Sequence, residues 1–148
     1  MGKIFDNLHV VWETIVPGTS YLSDGMSQSS VYAMSKDSGK TWTRTWFQGQ
    51  HPDLSATGSF VPGPQQPAVG IDGNGLILFV FREPSDNRIM YRSSRDGVSW
   101  SFPQPIPGIE AGMYRPYDQY DMITDSAGRV HLAAAGYLSG SSDPSLIY

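Results

Sequence analysis

Short runs of alternating apolar and polar residues follow one another along this chain, and each run leads into a turn rich in Gly, Asp, Asn or Ser. The clearest series covers residues 67–72, 76–81, 88–93 and 104–106. The turn Gly73-Asn74-Gly75 is typical of a hairpin, and the apolar run 76–81 is typical of a strand covered on both faces. No run has the 3.6-residue period of a helix. The pattern therefore predicts one four-stranded antiparallel unit over about residues 66–107.

The same order of elements occurs twice more, in part. Upstream, the pattern predicts strands at 3–7, 9–12, 31–34 and 43–47, with a long connection over residues 13–30. Downstream, it predicts strands at 120–125, 130–135 and 146–148. Asp6, Asp72 and Asp125 align at the end of the first strand of each unit. A repeat of this length indicates stacked copies of one unit, so we predict a single domain over 1–148 with repeats at about 1–48, 66–107 and 118–148.

One short motif follows the third strand in the first two repeats, as Ser35-Lys36-Asp37-Ser38-Gly39-Lys40-Thr41-Trp42 and as Ser94-Arg95-Asp96-Gly97-Val98-Ser99-Trp100. Asp and Ser side chains can accept bonds from the backbone amides of a turn, Gly accepts a positive φ, and Trp supplies apolar area. We therefore predict structural roles for Ser35, Asp37, Gly39, Trp42, Ser94, Asp96, Gly97 and Trp100. We also expect Trp12 and Trp46 to pack between repeats.

The motif resembles the Asp-box, or BNR repeat, of sialidases and other β-propeller proteins. The first copy fits the whole pattern, whereas the second is one residue shorter and has Ser99 where Thr is usual. The resemblance implies an all-β fold, a partial β-propeller of about two and a half to three four-stranded antiparallel blades with Asp-box hairpins. In that family the box lies on the face away from the active site.

Propellers close with about four to eight blades, which leaves no sheet edge open. We therefore expect this chain to form a homo-oligomer or to be completed by the remainder of a longer propeller. Two copies would supply about six blades, the number that the sialidase resemblance implies.

Composition restricts the function further. The 148 residues carry a net charge of −4 with scattered Lys and Arg, which argues against nucleic acid as the main partner. Cys is absent, and no apolar stretch approaches the length of a membrane span, so we predict no membrane association. Soluble character is expected and the compartment is left open. His9, His51 and His131 form no metal-binding pattern, and we predict neither a metal nor a cofactor.

In a propeller of this kind, ligands meet the face formed by the loops that enter the first strand and the loops that join the second and third strands. On our register this face includes Glu13 and the candidate ligand-binding residues Arg82, Glu83, Tyr114, Arg115, Tyr117 and Asp118. The tyrosine-rich segment 114–121 suits sugar recognition, since aromatic faces stack on sugar rings and planar polar groups bind hydroxyls. Two alternatives stay open: Arg82 and Glu83 form an exposed ion pair, or the tyrosines pack between blades.

The sialidase resemblance also implies three arginines for a substrate carboxylate, a Tyr–Glu nucleophile pair and an Asp acid. Pro67-Ala68-Val69 and Gly75 reproduce the tail of the family's Arg-Ile-Pro motif, but Gln65 stands where the arginine would be. Tyr114-Arg115-Pro116 is a second partial match, and no catalytic residue can be assigned. We therefore predict glycan recognition. The alternatives are a sialidase-type exo-glycosidase, active only in a completed propeller and using Arg82, Arg88 and Arg115, and a structural or interaction fragment without a ligand.

Overall fold

The fold is all-β and antiparallel. The structure, a computed structural model, describes residues 7–17, 26–48, 65–83, 88–107, 120–137 and 144–147. These residues contain no helix and form ten strands, which are β1 (Leu8–Pro17), β2 (Met26–Ser35), β3 (Thr43–Gln48), β4 (Gln65–Ile71), β5 (Ile77–Arg82), β6 (Ile89–Ser94), β7 (Gln104–Pro105), β8 (Tyr120–Thr124), β9 (Val130–Tyr137) and β10 (Pro144–Ile147). The first sheet is β1-β2-β3, the second β4-β5-β6-β7 and the third β8-β9-β10. This arrangement is consistent with a partial propeller.

The second sheet contains the four strands that the pattern over residues 66–107 predicts, in consecutive order. Its first turn is held by Asp72, whose Oδ1 accepts bonds from the backbone N–H groups of Asn74 and Leu76, both at 2.8 Å. Gly75 completes the turn with a φ of 77°, a conformation that glycine adopts at little cost. The hairpin signal in the sequence is therefore confirmed.

The third sheet repeats that first turn. Asp125 Oδ1 accepts bonds from the backbone N–H groups of Ala127 and Arg129, each at 2.9 Å, and Gly128 has a φ of 79°. Asp72 and Asp125 thus occupy equivalent positions, as their alignment in the sequence predicts. Asp6, the third member of that alignment, lies outside the described residues.

The first sheet differs from the prediction. Residues 13–30 do not form one long connection, because β1 continues to Pro17 and β2 begins at Met26. Glu13 pairs with Ser30 and Val16 with Ser27, so the two strands form a long hairpin. The bonds between paired strands are made by the backbone, and polar residues can therefore extend a ladder without an apolar signal. Of the strand predicted at 3–7, only Asn7 is described, and it lies before β1.

Strand β5 lies at the centre of the packing because its two faces contact different sheets. Ile77, Phe79 and Phe81 are at most 2% exposed and pack against residues of the first sheet, including Tyr32 and Phe47. The alternation of side chains along a strand places Val80 and Arg82 on the opposite face, toward the third sheet. A strand buried on both faces explains the continuous apolar run in the sequence.

Trp100 lies between the first and second sheets. Its ring centroid is 4.9 Å from that of Tyr32, 5.2 Å from that of Phe47 and 5.9 Å from that of Phe79, all in edge-to-face orientations. Such contacts are favourable beyond the area they bury. The other three tryptophans, Trp12, Trp42 and Trp46, are 36%, 39% and 48% exposed, so their expected packing between repeats does not occur among the sheets that the structure describes.

The second and third sheets share another core and a backbone seam. Val80 and Ile89 pack against Ala134 of the third sheet. At one end, the N–H of Gly73 donates to the carbonyl of Gly128 at 2.8 Å, which joins the first turns of the two sheets. A Cβ on Gly128 would lie 2.5 Å from the Gly73 Cα, so this approach requires glycine.

Candidate functional site

The strand ends divide the molecule into two ends. The turns that begin at Ser35, Asp72, Ser94 and Asp125 lie at one of them, which we call the turn end. The opposite end contains the start of β4, the end of β5 and the start of β8, which we call the Arg82 end. The sequence places its candidate ligand face at the Arg82 end, so this end is described first.

Four side chains from the three sheets meet at the Arg82 end, and we call them the Gln66 cluster: Glu13 of β1, Gln66 of β4, Arg82 of β5 and Tyr120 of β8. The backbone N–H of Gln66 donates to Glu13 Oε2 at 3.1 Å. Arg82 Nε donates to Gln66 Oε1 at 3.0 Å. The Tyr120 hydroxyl donates to the carbonyl of Gln66, and it lies 3.3 Å from the carbonyl of Gln65. Gln66 thus connects all three sheets.

A β-bulge places Gln66 at the centre of this cluster. Gln65 pairs with Arg82 and Ala68 pairs with Val80, so two residues of β4 lie opposite one residue of β5. Pro67 has no N–H to give to the ladder, which explains the interruption at this point. Gln66 has a φ of 51°, a left-handed conformation that costs a non-glycine residue about 1 kcal/mol. Bulges and strained residues concentrate at functional sites.

Burial controls the electrostatics of the cluster. Burial raises the pKa of Tyr120 far above its ordinary value, although the positive charge of Arg82 acts in the other direction. Tyr120 is therefore a neutral hydrogen-bond donor at physiological pH. Arg82 is 3% exposed and Glu13 is exposed. The buried members hold the position of Gln66, and the Glu13 carboxylate is the charged group that solvent reaches.

The predicted ligand-binding residues differ in where the structure places them and in whether it describes them. Arg82 is buried, so the alternative of an exposed ion pair with Glu83 is wrong; Glu83 itself is partly exposed at the end of β5. Tyr114, Arg115, Tyr117 and Asp118 lie outside the described residues. Glu13 lies at the expected end. Gln66 was not predicted, and its only signal in the sequence is the neighbouring Pro67, which interrupts a strand pattern.

At the turn end, the first Ser-x-Asp motif bonds to its own turn. Ser35 Oγ accepts a bond from the Gly39 N–H at 2.7 Å and donates to Asp37 Oδ1 at 2.8 Å. Asp37 accepts bonds from the N–H of Thr41 at 2.8 Å and from its hydroxyl at 2.6 Å. The hydroxyl and amide of Thr41, together with Ser35, lower the pKa of Asp37 to about 2.

The second Ser-x-Asp motif makes the corresponding bonds. Ser94 Oγ accepts a bond from the Gly97 N–H at 2.9 Å and donates to Asp96 Oδ1 at 3.0 Å. Asp96 Oδ1 also accepts from the backbone N–H groups of Ser99 and Val98, at 2.7 and 2.8 Å. These donors lower the pKa of Asp96 below its usual range. Both aspartates are thus used by the turns in which they lie, far from the Gln66 cluster.

A cleft of about 910 Å³ also opens at the turn end, between the Asp72 and Asp125 turns. His9 lies on its wall, and its Nδ1 is 2.8 Å from the Tyr32 hydroxyl. Burial lowers the pKa of His9. Asp125 accepts bonds from its own turn and from Arg129, and its Oδ2 lies 3.0 Å from His131 Nε2, so its carboxylate is already used within the fold.

Two further searches cover only the residues that the structure describes. No group of three or more His, Cys, Asp or Glu side chains is arranged to hold a metal ion among them. The same residues include no helix with the length and apolar character needed to cross a membrane.

Comparison with known proteins finds no matching family model and no matching curated protein. Among solved structures, a point mutant of NanB sialidase from Streptococcus pneumoniae is similar over 93% of this chain, with 24% identity and a TM-score of 0.53. NanB with Optactamide is similar over 93% of this chain, with 22% identity and a TM-score of 0.51. In both cases the match covers 18% of that chain, so this chain spans less than a fifth of their length. The likeness shows a sialidase-like fold.

Proposed function

We propose that this protein binds a carbohydrate at the Arg82 end, over the Gln66 cluster. The observation that carries the proposal is the convergence of Glu13, Gln66, Arg82 and Tyr120 from three separate sheets on one strained residue. Residues in strained backbone conformations such as that of Gln66 concentrate at ligand-binding and active sites. The likeness to a sialidase structure supports a sugar as the ligand.

The chemistry of the exposed groups suits sugar hydroxyls. The Glu13 carboxylate has several acceptor positions and uses one of them for the Gln66 N–H. The Gln66 amide has two N–H donors in addition to the oxygen that Arg82 uses. A donor and an acceptor side by side match the alternating donors and acceptors of neighbouring sugar hydroxyls. In this proposal Arg82 and Tyr120 act as positioning residues, because both are held within the cluster.

Calorimetric titration with sialic acid and common monosaccharides tests the proposal. Glu13→Gln keeps the shape of the side chain and removes its charge, and we expect it to weaken binding about tenfold, since a hydrogen bond to a charged group contributes about 1.5 to 3 kcal/mol. Gln66→Gly removes the amide while its backbone tolerates the positive φ, and we expect a similar loss.

Lys36→Ala, an exposed change at the turn end, is the matched control and should bind as the parent does. The proposal is wrong if no sugar binds to the parent protein, or if Glu13→Gln and Lys36→Ala have equal affinities.

A sialidase-type exo-glycosidase is the second candidate, and the fold likeness to NanB sialidase favours it. It would require Arg82, Arg88 and Arg115 to meet one substrate carboxylate. Arg82 is 3% exposed and already bonds Gln66, which makes binding the better-supported of the two functions. Hydrolysis of a fluorogenic sialoside that Arg115→Ala abolishes and Arg95→Ala preserves would establish the enzyme. Inactivity of the parent at high protein concentration would eliminate it.

A further inference from the structure

The first sheet has one large apolar face that none of the described sheets covers. We call it the outer face of the first sheet, and its members are Leu8, Val10, Trp12, Trp42, Arg44 and Trp46. The apolar members are between 36% and 48% exposed. Val10, Trp12, Ala33, Trp42 and Arg44 line a shallow groove on it of about 210 Å³. Contiguous apolar surface of this kind marks an interaction site more often than isolated exposed residues do.

The second sheet has a face equivalent to the outer face of the first sheet, and the contacts of that equivalent face are known. Leu8 pairs with Ser35, the first residue of one Ser-x-Asp turn, and Ile77 pairs with Ser94, the first residue of the other. On this common register, each residue of β1 has an equivalent in β5. Leu8 corresponds to Ile77, Val10 to Phe79 and Trp12 to Phe81.

Those equivalents are buried. Ile77, Phe79 and Phe81 are 2%, 0% and 1% exposed because the first sheet packs against them. The outer face of the first sheet therefore has the position and the apolar character of a face that, within this same molecule, is covered by another sheet.

A second exposed face lies on the third sheet. Tyr120, Met122 and Thr124 of β8 contact the second sheet, so the alternation of side chains directs Asp121 and Ile123 away from it. We call this the outer face of the third sheet, and its described members are Asp121, Ile123, His131 and Ala133. Ile123 is 70% exposed.

The two outer faces also match in charge. Asp121 is an exposed acidic residue on the third sheet, and Arg44 is an exposed basic residue on the first sheet. Opposite charges on the two faces favour contact between a third sheet and a first sheet over contact between two first sheets, since the latter would bring together two faces that each carry Arg44.

We propose that two copies of this chain associate head to tail, with the outer face of the third sheet of each copy packed on the outer face of the first sheet of the other. The contact occurs twice around a two-fold axis, so the pair closes and covers both outer faces of both copies. The packing is of the sheet-on-sheet kind that already joins the first and second sheets within one copy.

Sedimentation of the 148-residue protein over a range of concentrations tests the proposal. We expect a mass that rises from 16.2 kDa to twice that value and then remains constant. Trp12→Glu on the first sheet and Ile123→Lys on the third should each raise the dissociation constant at least about tenfold, since central aromatic and aliphatic anchors carry most of the energy of an interface. Phe102→Glu is the matched control, because Phe102 is 84% exposed and lies on neither outer face.

Mixing the two variants separates head-to-tail association from other arrangements. The Ile123→Lys chain keeps an intact first sheet and the Trp12→Glu chain keeps an intact third sheet, so together they can form one of the two contacts. We expect the mixture to contain a mixed dimer at concentrations where each variant alone is monomeric.

A charge exchange provides a second measurement that alters no apolar residue. Arg44→Glu alone and Asp121→Lys alone each remove the opposite signs of the two faces and should weaken the dimer. The two changes in one chain make the faces opposite in sign again and should restore part of the lost affinity. A constant mass of 16.2 kDa, an open series of larger species, or a dimer unaffected by Ile123→Lys and Asp121→Lys would overturn the proposal.

Discussion

The aspartates of the turn end stabilise the fold through their ionised form. Asp37 has a pKa of about 2, below the usual 3.8, because the side chain and backbone of Thr41 donate to its carboxylate. A carboxyl group whose pKa is lowered in the folded state contributes its stability above the unfolded pKa and loses it as the pH falls. Asp96 and Asp125 are shifted in the same direction.

We therefore expect the melting temperature to fall as the pH is lowered from about 4 to about 2. Asp37→Asn should reduce the acid dependence, because the substituted residue has no carboxyl to protonate, and Lys36→Ala should leave it unchanged. Calorimetric melts at each pH measure the effect. Identical acid dependence in the parent and in Asp37→Asn would show that Asp37 does not contribute to it.

Two glycines with the same backbone conformation allow strain and contact to be measured separately. Gly97 and Gly75 have φ values of 74° and 77°. A Cβ on Gly97 would lie 2.8 Å from Met34 Cε and 3.0 Å from the Tyr32 hydroxyl, whereas a Cβ on Gly75 meets nothing within 4 Å. Gly75→Ala should lower the free energy of unfolding by about 1 to 2 kcal/mol, because alanine is strained in the left-handed conformation. Gly97→Ala should cost about 1 to 3 kcal/mol more, as for an overpacked core.

Urea unfolding of both glycine variants gives these differences directly. If the two cost the same, Met34 and Tyr32 move aside for the added methyl group without a loss of stability, and the close approach at Gly97 imposes no overpacking.

At the scale of elements, β5 is the strand on which both cores depend. Phe79 is fully buried, and its ring lies 4.3 Å from that of Phe47 in the first sheet and 5.9 Å from that of Trp100. Phe79→Ala should destabilise the fold by about 3 to 5 kcal/mol. Phe102→Ala, at an 84% exposed position, should change stability by less than about 0.5 kcal/mol. Chemical denaturation measures both, and a loss below about 1 kcal/mol for Phe79→Ala would contradict the central place of β5.

The sequence predicts the second sheet well because each of its strands has an alternating or continuous apolar pattern and ends at a recognisable turn, as at Asp72. The β1–β2 hairpin was not predicted in full because its extension, Glu13–Pro17 with Met26–Ser30, includes several polar residues. In this extension the backbone hydrogen bonds continue the ladder. They do not depend on apolar side chains, so the pattern of apolar and polar residues does not reveal them.

The candidate site was predicted only in part, for a related reason. The register places Glu13 and Arg82 at one end of the sheets, which the structure confirms. It cannot show that Arg82 is buried against Gln66, because burial depends on how the second and third sheets approach each other. The left-handed conformation of Gln66 is also beyond the pattern, since glutamine is not a residue that favours it.

At the scale of the whole molecule, the three sheets are joined by different means at their two ends. At the turn end the link between the second and third sheets is a backbone bond between Gly73 and Gly128. At the Arg82 end it is made by side chains, with Tyr120 donating to the backbone carbonyl of Gln66. The second and third sheets are thus joined through backbone groups at the turn end and through a side chain at the Arg82 end.

The contact between Gly73 and Gly128 is the point about which we expect the second and third sheets to tilt relative to each other. β4 runs from Gln65 to Ile71, so the cluster lies about 20 Å along the strand from the seam. Gly128→Ala would press a methyl group against the Gly73 backbone and so change the angle between the second and third sheets. A small change of angle there displaces the Gln66 cluster, at the other end of β4, by a larger distance. We expect the NMR signals of Gln66 and Tyr120 to move in Gly128→Ala and to stay in place in Gly75→Ala, whose methyl group touches nothing. A substitution remote from the Gln66 cluster would thus change the distances between its residues without contacting any of them.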